Sequence, residues 1–201
     1  MKTIINNVDG SWKNVKNKCR TTINKEYSEV DASPSFIYKL LISEHSPIRL
    51  ISVDWSWKKI PYWVSTEWSR HKFEKFISTQ RTDRTGIERA ILPQGVDVNF
   101  DGYANAQNLI DAWRKRLCFQ ATPEARGLAM DFKLKLQDVE VELANVLVPN
   151  CVYRGGCPEF VPCDFYGKFV NYCYEHSVNM NNIQSRYDAY NEFVSIPEWL
   201  K

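Results

Sequence analysis

The residues best suited to chemistry lie between Ser65 and Arg84. Apolar and aromatic residues begin this region at helical spacing, namely Trp63, Trp68, Phe73 and Phe76, and Arg70-His71-Lys72 sets an imidazole between two cations. Guanidinium and ammonium groups bind anions, and a histidine adds a flat ring whose charge changes near neutral pH. The pattern predicts a local anion site, and the alternative for this stretch alone is a solvated cationic helix face with one half-buried histidine.

Two further cationic sites follow downstream. Arg89 precedes Ile91-Leu92-Pro93, and Arg116 precedes the segment 120–126, Gln-Ala-Thr-Pro-Glu-Ala-Arg. A single arginine is most often a surface or ion-paired cation. Three cationic sites in one chain favour a shared anionic ligand.

Composition limits the classes of protein that fit. The 201 residues are 44% apolar and 13% aromatic, enough to bury the core of a single domain spanning 1–201. The net charge of +2 comes from 26 cations and 24 anions, so nothing global indicates nucleic acid or an anionic membrane as a partner. No apolar run approaches the roughly 20 residues of a membrane span, and residues 1–7 lack a signal-peptide core. We therefore expect a cytoplasmic protein with reduced cysteines.

The elements that must position these cations are predicted from periodicity. Residues 50–57 alternate apolar and polar side chains, as in a half-buried strand with Ile51, Val53, Trp55 and Trp57 on one face. Pro61 suits the first turn of a helix over 63–76. Further long helices are predicted over 104–118 and, capped by Thr122, over 122–147. The expected fold class is α+β, a twisted mixed or antiparallel sheet with packed helices.

The remaining segments carry weaker patterns. We predict one or two strands in 1–20 around the turn Asp9-Gly10, a loop over 21–33, a helix over 34–45, a turn-rich region over 82–102, and helices over 164–176 and 182–194.

Cysteines can act as metal ligands or as nucleophiles. Cys151, Cys157, Cys163 and Cys173 are spaced more widely than the ligands of a zinc knuckle, so we predict thiols and no metal site. Cys151 has no neighbouring histidine to activate it, which disfavours covalent cysteine catalysis.

In chain order, these cationic segments resemble motifs of the flavin-dependent thymidylate synthases. The matching segments are Arg70-His71-Lys72, Glu88-Arg89-Ala90-Ile91-Leu92-Pro93, Arg116 and 120–126, with Cys19-Arg20-Thr21-Thr22 and His45-Ser46-Pro47 upstream. The similarity spans about 15–165, which leaves 166–201 as a C-terminal helical extension. The strength of the resemblance lies in the ordered set rather than in any one motif.

The resemblance implies a reaction and a set of site residues. It implies reductive methylation of dUMP to dTMP with methylenetetrahydrofolate and NADPH as co-substrates, FAD as cofactor, and a homotetramer with active sites at subunit interfaces. The implied cofactor-binding residues are Arg70, His71, Lys72, Asp111 and Gln120, with Arg70 and Lys72 at phosphates and His71 at the flavin ring. The implied substrate-binding residues are Glu67, Thr79, Gln80, Arg81, Arg89 and Arg116. Arg116 is also the implied catalytic group, stabilising negative charge that develops on the uracil.

Several positions depart from the family pattern. Lys72 replaces an arginine, Thr79-Gln80-Arg81-Thr82 lacks the family's serine and tyrosine, and Asp111 and Gln120 replace an asparagine and a histidine. These changes keep a second reading open. In it, a divergent homologue binds a pyrimidine nucleotide as a regulatory module, or modifies a related pyrimidine nucleotide.

Overall fold

A four-stranded antiparallel sheet forms the centre of the computed structural model, which describes residues 2–195. In the order β1-β2-β4-β3, its strands are β1 (Lys2–Asp9), β2 (Ser52–Pro61), β4 (Asp97–Asn105) and β3 (Glu74–Ile77). The α+β class predicted from the sequence is confirmed.

Ten α-helices surround the sheet in the described part of the chain: α1 (Trp12–Thr22), α2 (Pro34–Ile42), α3 (Tyr62–Trp68), α4 (Thr82–Thr85), α5 (Ala106–Arg116), α6 (Pro123–Gln137), α7 (Val141–Val146), α8 (Asn150–Arg154), α9 (Asp164–Glu175) and α10 (Ile183–Ser195). Short 3₁₀ turns cover Ser46–Leu50 and Arg89–Ile91. Among the helices between residues 2 and 195, none is both long and apolar enough to cross a membrane.

The core is built on β2, as its alternation predicted. Ile51, Val53, Trp55 and Trp57 are all buried. The ring centroid of Trp55 lies 5.1 Å from that of Phe73 and 5.3 Å from that of Phe132, both edge-on. This aromatic centre joins the sheet to α6, because Phe132 is on α6.

The helix predicted over 63–76 is wrong beyond residue 68. Helix α3 ends at Trp68, the chain turns with His71 N–H donating to Trp68 O, and β3 then pairs with β4. Pairing at the sheet edge satisfies backbone groups that a longer helix would have satisfied internally, and it also buries Phe73. Arg70-His71-Lys72 therefore lies in a turn, not on a helix.

Three other boundaries differ from prediction. Residues 12–22 form α1 rather than a second strand, although Gly10 does turn the chain, with φ +106° and a Cβ position only 2.3 Å from Leu50 O. The turn-rich interpretation of 82–102 fails from Asp97, where β4 buries Val98 and Phe100. The helix predicted over 122–147 is divided into α6 and α7, because Glu140 leaves the helical conformation, with φ −149° and ψ 73°.

The other predicted helices are confirmed within a few residues as α2, α5, α9 and α10. Thr122 caps α6 as predicted, accepting from Ala125 N–H at 3.4 Å, and Pro123 follows in the first turn. All six cysteines are free thiols. The last six residues of the predicted C-terminal extension, 196–201, lie outside the described residues.

Lys133 on α6 is buried in this core without a carboxylate partner among the described residues. Its Nζ donates to Ala144 O at 2.5 Å, and burial lowers its pKa to about 7. Because the unfolded lysine keeps its proton up to about pH 10.5, the fold should gain stability as pH rises from 7 to 10. Lys133→Met should raise the free energy of unfolding at pH 7 by about 1–3 kcal/mol and flatten that pH dependence.

Chemical denaturation of both proteins at pH 7 and pH 9.5 measures this effect. Ala144 O still accepts from Leu147 N–H after the substitution, so no carbonyl loses its last partner. A less stable Lys133→Met variant at pH 7 would show that the lysine stabilises the fold instead.

Candidate functional site

Arg116 is held at the centre of a polar cluster by three hydrogen bonds. Its Nη1 donates to Glu67 Oε2 at 2.9 Å, its Nη2 donates to Glu67 O, and its Nε donates to His71 Nε2 at 2.8 Å. Arg116 ends α5, Glu67 is in the last turn of α3, and His71 is in the turn after it. The predicted position of Arg116 at a helix C-terminal end, beside the start of the next helix, is confirmed.

These contacts determine the charge state of His71. An arginine can only donate, so His71 Nε2 is the acceptor and the neutral ring carries its proton on Nδ1. Burial, together with the charges of Arg116 and Lys75, lowers the pKa of His71 to about 4. At neutral pH the site therefore presents an uncharged ring whose Nδ1–H remains a donor.

We expect the ring of His71 to titrate near pH 4 when followed by NMR, with His71→Gln identifying its signals. In the unfolded chain the ring takes its proton near pH 6.5, so between pH 6.5 and 4 the unfolded state binds more protons. The contribution of neutral His71 to stability is thus complete above pH 6.5 and lost as pH falls through 4. A measured pKa at or above 6.5 would contradict the buried contact with Arg116.

Thr122 extends the cluster to the start of α6. Its hydroxyl lies 3.2 Å from both carboxylate oxygens of Glu67, while its oxygen accepts from Ala125 N–H. One side chain thus caps α6 and orients the carboxylate that holds Arg116. The sequence predicted the cap but not this second contact, because nothing in the spacing of residues 67 and 122 indicates it.

A cavity of about 210 Å³ opens beside this cluster and is lined by Arg70, His71, Lys72, Asn108, Asp111 and Ala112. Asn108 Nδ2 donates to Lys72 O at 2.9 Å and so fastens the turn to α5. Four of the five predicted cofactor-binding residues thus line one cavity. Gln120 does not, since its amide donates to Val161 O at 2.8 Å.

Asn108 is the residue that sequence reasoning missed in this cavity. It lies three positions before Asp111, so both side chains fall on the same face of α5. The predicted helix over 104–118 already implied that Asn108 lies beside Asp111, and this spacing was the signal that could have identified it.

The predicted substrate-binding residues fall into two groups. Glu67 and Arg116 contact each other, whereas Thr79, Gln80, Arg81 and Arg89 lie in the largely exposed segment after β3. Arg81 forms a two-point ion pair with Asp83, at 3.0 and 2.8 Å, and Arg89 N–H donates to Thr82 Oγ1 at 3.1 Å. In the described chain, none of these four side chains is hydrogen-bonded to Glu67, His71 or Arg116.

Arg114, on the other side of α5 from Arg116, has a structural role. It pairs with Glu44 and stacks on Tyr153, with Cζ 3.6 Å from the ring centroid. No three of the described His, Cys, Asp and Glu side chains are grouped so as to hold a metal ion. The cavity presents the cations of Arg70 and Lys72, the neutral imidazole of His71, and the side chains of Asn108 and Asp111.

The fold is that of the flavin-dependent thymidylate synthases and of a related nucleotide methylase. The structure of the UMP/dUMP methylase PolB from Streptomyces cacaoi, bound with 5-Br dUMP, matches with a TM-score of 0.59 and 13% identity over 72% of this chain and 93% of that chain. Two structures of the flavin-dependent thymidylate synthase ThyX from Helicobacter pylori, with FAD and dUMP, also match. Their TM-scores are 0.59 and 0.56, at 12% and 13% identity, over 73% and 68% of this chain and 99% and 94% of those chains.

Sequence comparison adds no family assignment. No protein-family model matches the chain, and no curated protein matches its sequence. At 12–13% identity the structural likeness shows the fold alone.

Proposed function

We propose that this protein is a flavin-dependent thymidylate synthase that methylates dUMP to dTMP. The observation that carries the proposal is the half-buried Arg116–Glu67–His71 cluster, which opens on a cavity bearing Arg70 and Lys72. The fold, shared with proteins whose structures contain dUMP or a brominated dUMP, supports it. The predicted roles of the site residues are part of this proposal.

The residues of the cavity fit a flavin. Arg70 and Lys72 have no carboxylate partner among residues 2–195, so their charges are available to phosphate groups. Neutral His71 offers a flat ring and its Nδ1–H, and Asn108 adds an amide oxygen. When bound, reduced FAD supplies hydride and carries the one-carbon unit from methylenetetrahydrofolate, with NADPH as the reductant.

Arg116 is suited to the pyrimidine. A guanidinium has five N–H donors, and three are used by Glu67 and His71, which leaves two for the carbonyl edge of a uracil. Because Glu67 and His71 hold the guanidinium before substrate arrives, little reorganisation is needed as negative charge develops on the base. The cluster thus serves as a preorganised electrostatic site.

Arg81 and Arg89 can reach the substrate site only if they come from another copy of the chain. Both are exposed, and neither contacts the Arg116 cluster within the chain. A cavity of about 210 Å³ is also small for a whole dinucleotide, so further walls are required. We propose a homotetramer in which the exposed segment of one subunit supplies Arg81 and Arg89 to the site of another.

Arg89→Ala should weaken dUMP binding by about 1.5–3 kcal/mol, the scale of a hydrogen bond to a charged group. The measurement is calorimetric titration with dUMP, and sedimentation confirms the oligomer of each variant. Arg84→Ala, in the same exposed segment, is the matched control and should leave the affinity unchanged. Equal affinity of wild type and Arg89→Ala would remove this arginine from the substrate site.

The proposed activity is tested by incubating the purified protein with FAD, NADPH, methylenetetrahydrofolate and dUMP, and identifying dTMP by mass spectrometry. UMP belongs in the same assay, because one structural neighbour is a methylase of both UMP and dUMP. Conversion of UMP alone would favour the related-nucleotide alternative. Binding of dUMP without flavin uptake or turnover would favour the regulatory-module alternative and overturn the proposed reaction.

A further inference from the structure

A second cavity, of about 490 Å³, lies between α6 and the C-terminal helices and shares no lining residue with the first. Its wall is mainly apolar and includes Phe119, Met130, Leu134, Phe165, Tyr190 and Val194. Phe119 and Phe165 stack with their ring centroids 4.6 Å apart. The volume and lining are those of a site for a small organic molecule.

Among the described residues that line this cavity, Arg126 is the one cation. Its guanidinium lies over the ring of Phe119, with Cζ 4.2 Å from the centroid, and no described carboxylate forms an ion pair with it. A half-buried arginine that is stacked but unpaired keeps its N–H donors for a ligand.

Tyr190 adds a hydrogen-bonding hydroxyl to the wall of the cavity. The residue is 1% exposed, and its hydroxyl makes no hydrogen bond with any described residue. Its ring is flanked by Lys133, whose Nζ lies 5.8 Å from the centroid, and its hydroxyl is close enough for the charge of Arg126 to act on it. Because Tyr190 lines the cavity, this hydroxyl is free to hydrogen-bond to a ligand there.

The wall of the cavity also contains a carboxylate, that of Asp131, which already accepts a hydrogen bond. Asp131 Oδ2 accepts from Thr3 N–H at 2.6 Å, and Asp131 is five residues after Arg126 on α6, about 7–8 Å along the helix axis. The cavity therefore has a cationic end at Arg126 and Tyr190 that is separated from its carboxylate.

We propose that this cavity binds a small apolar carboxylate, with its carboxylate on Arg126 and Tyr190 and its hydrocarbon body against Phe119, Phe165 and Met130. A guanidinium pairs with a carboxylate through two parallel hydrogen bonds, so one arginine suffices. The second charge of a phosphate monoester would be left unmatched, because the described lining holds no cation other than Arg126. The site is independent of the proposed methylation, because the two cavities share no residue.

Decanoate and decanol are suitable probes, used in calorimetric titration of the full chain without flavin or nucleotide. We expect about one decanoate per chain. Arg126→Gln should weaken decanoate at least 10-fold and leave decanol unchanged, because only the charged group is removed.

Gly127→Leu tests the volume of the cavity separately. Gly127 lines it, and a Cβ added there meets nothing within 4 Å, so a leucine fills space without strain. This variant should weaken both probes, whereas Gly167→Leu, on α9 and equally unobstructed, should weaken neither. Thermal melting verifies that each variant is folded.

Two outcomes would overturn the proposal. One is decanoate binding that is unsaturable or equal in wild type, Arg126→Gln and Gly127→Leu. The other is absence of decanoate binding to wild type; a change of oligomeric state in Gly127→Leu would then identify the cavity as part of a contact between copies.

Discussion

Replacing Arg116 with lysine is expected to reduce turnover of dUMP by about 100-fold or more while flavin remains bound. The ammonium keeps the charge but has one donor centre, so it cannot pair with Glu67 and His71 and also hold a uracil edge at two points. The loss of one preorganised donor at a site of developing negative charge typically costs 100- to 1000-fold in rate. Flavin should stay because Arg70 and Lys72 are unchanged.

The measurement is the steady-state rate with saturating dUMP, beside the flavin absorbance of the same sample. Arg49→Lys, on an exposed 3₁₀ turn, is the matched control and should retain the wild-type rate. If Arg116→Lys turns over within about fivefold of wild type, Arg116 has only a structural role. If flavin is lost with the rate, the cluster supports the cofactor rather than the substrate.

Gly102→Ala is expected to lower the free energy of unfolding by about 3–4 kcal/mol. Gly102 on β4 is the partner of Trp55 on β2, and an added Cβ would lie 2.3 Å from Trp55 Cζ2 and 2.5 Å from Cε2. Trp55 is fully buried among Trp57, Phe73 and Phe132, so its ring cannot move aside without displacing the others. Overpacking of this kind costs more than the usual 1–3 kcal/mol when no flexible neighbour can yield.

Urea denaturation of wild type and variant measures the difference. Gly167→Ala on α9 is the control, because its Cβ meets nothing within 4 Å, and a helical alanine should stabilise by about 0.5–1 kcal/mol. A loss below 1 kcal/mol for Gly102→Ala would show that the aromatic centre can rearrange.

The misplaced elements show where periodicity is insufficient. Residues 63–76 have apolar spacing that suits a helix, and residues 73–77 lack the alternation of a half-buried strand. Pairing with β4 nevertheless makes Glu74–Ile77 a strand. In β4 the buried Val98, Phe100, Gly102 and Ala104 alternate with polar residues, yet its Asp, Asn and Gly content is typical of turns. In both cases a partner strand supplied the deciding hydrogen bonds.

The sequence by itself determined the α+β class, the buried face of β2, helix α5 and the cap of α6. These depend on local periodicity, capping and burial, which neighbouring residues specify. It also identified the set of cations and, by resemblance, the predicted ligands. Only the tertiary structure decided that Arg70-His71-Lys72 lies in a turn and that Arg116 binds His71 and Glu67, 45 and 49 residues away. It also decided that Arg81 and Arg89 lie apart from that cluster. Contacts at such separations follow from packing of the whole chain, which no local pattern encodes.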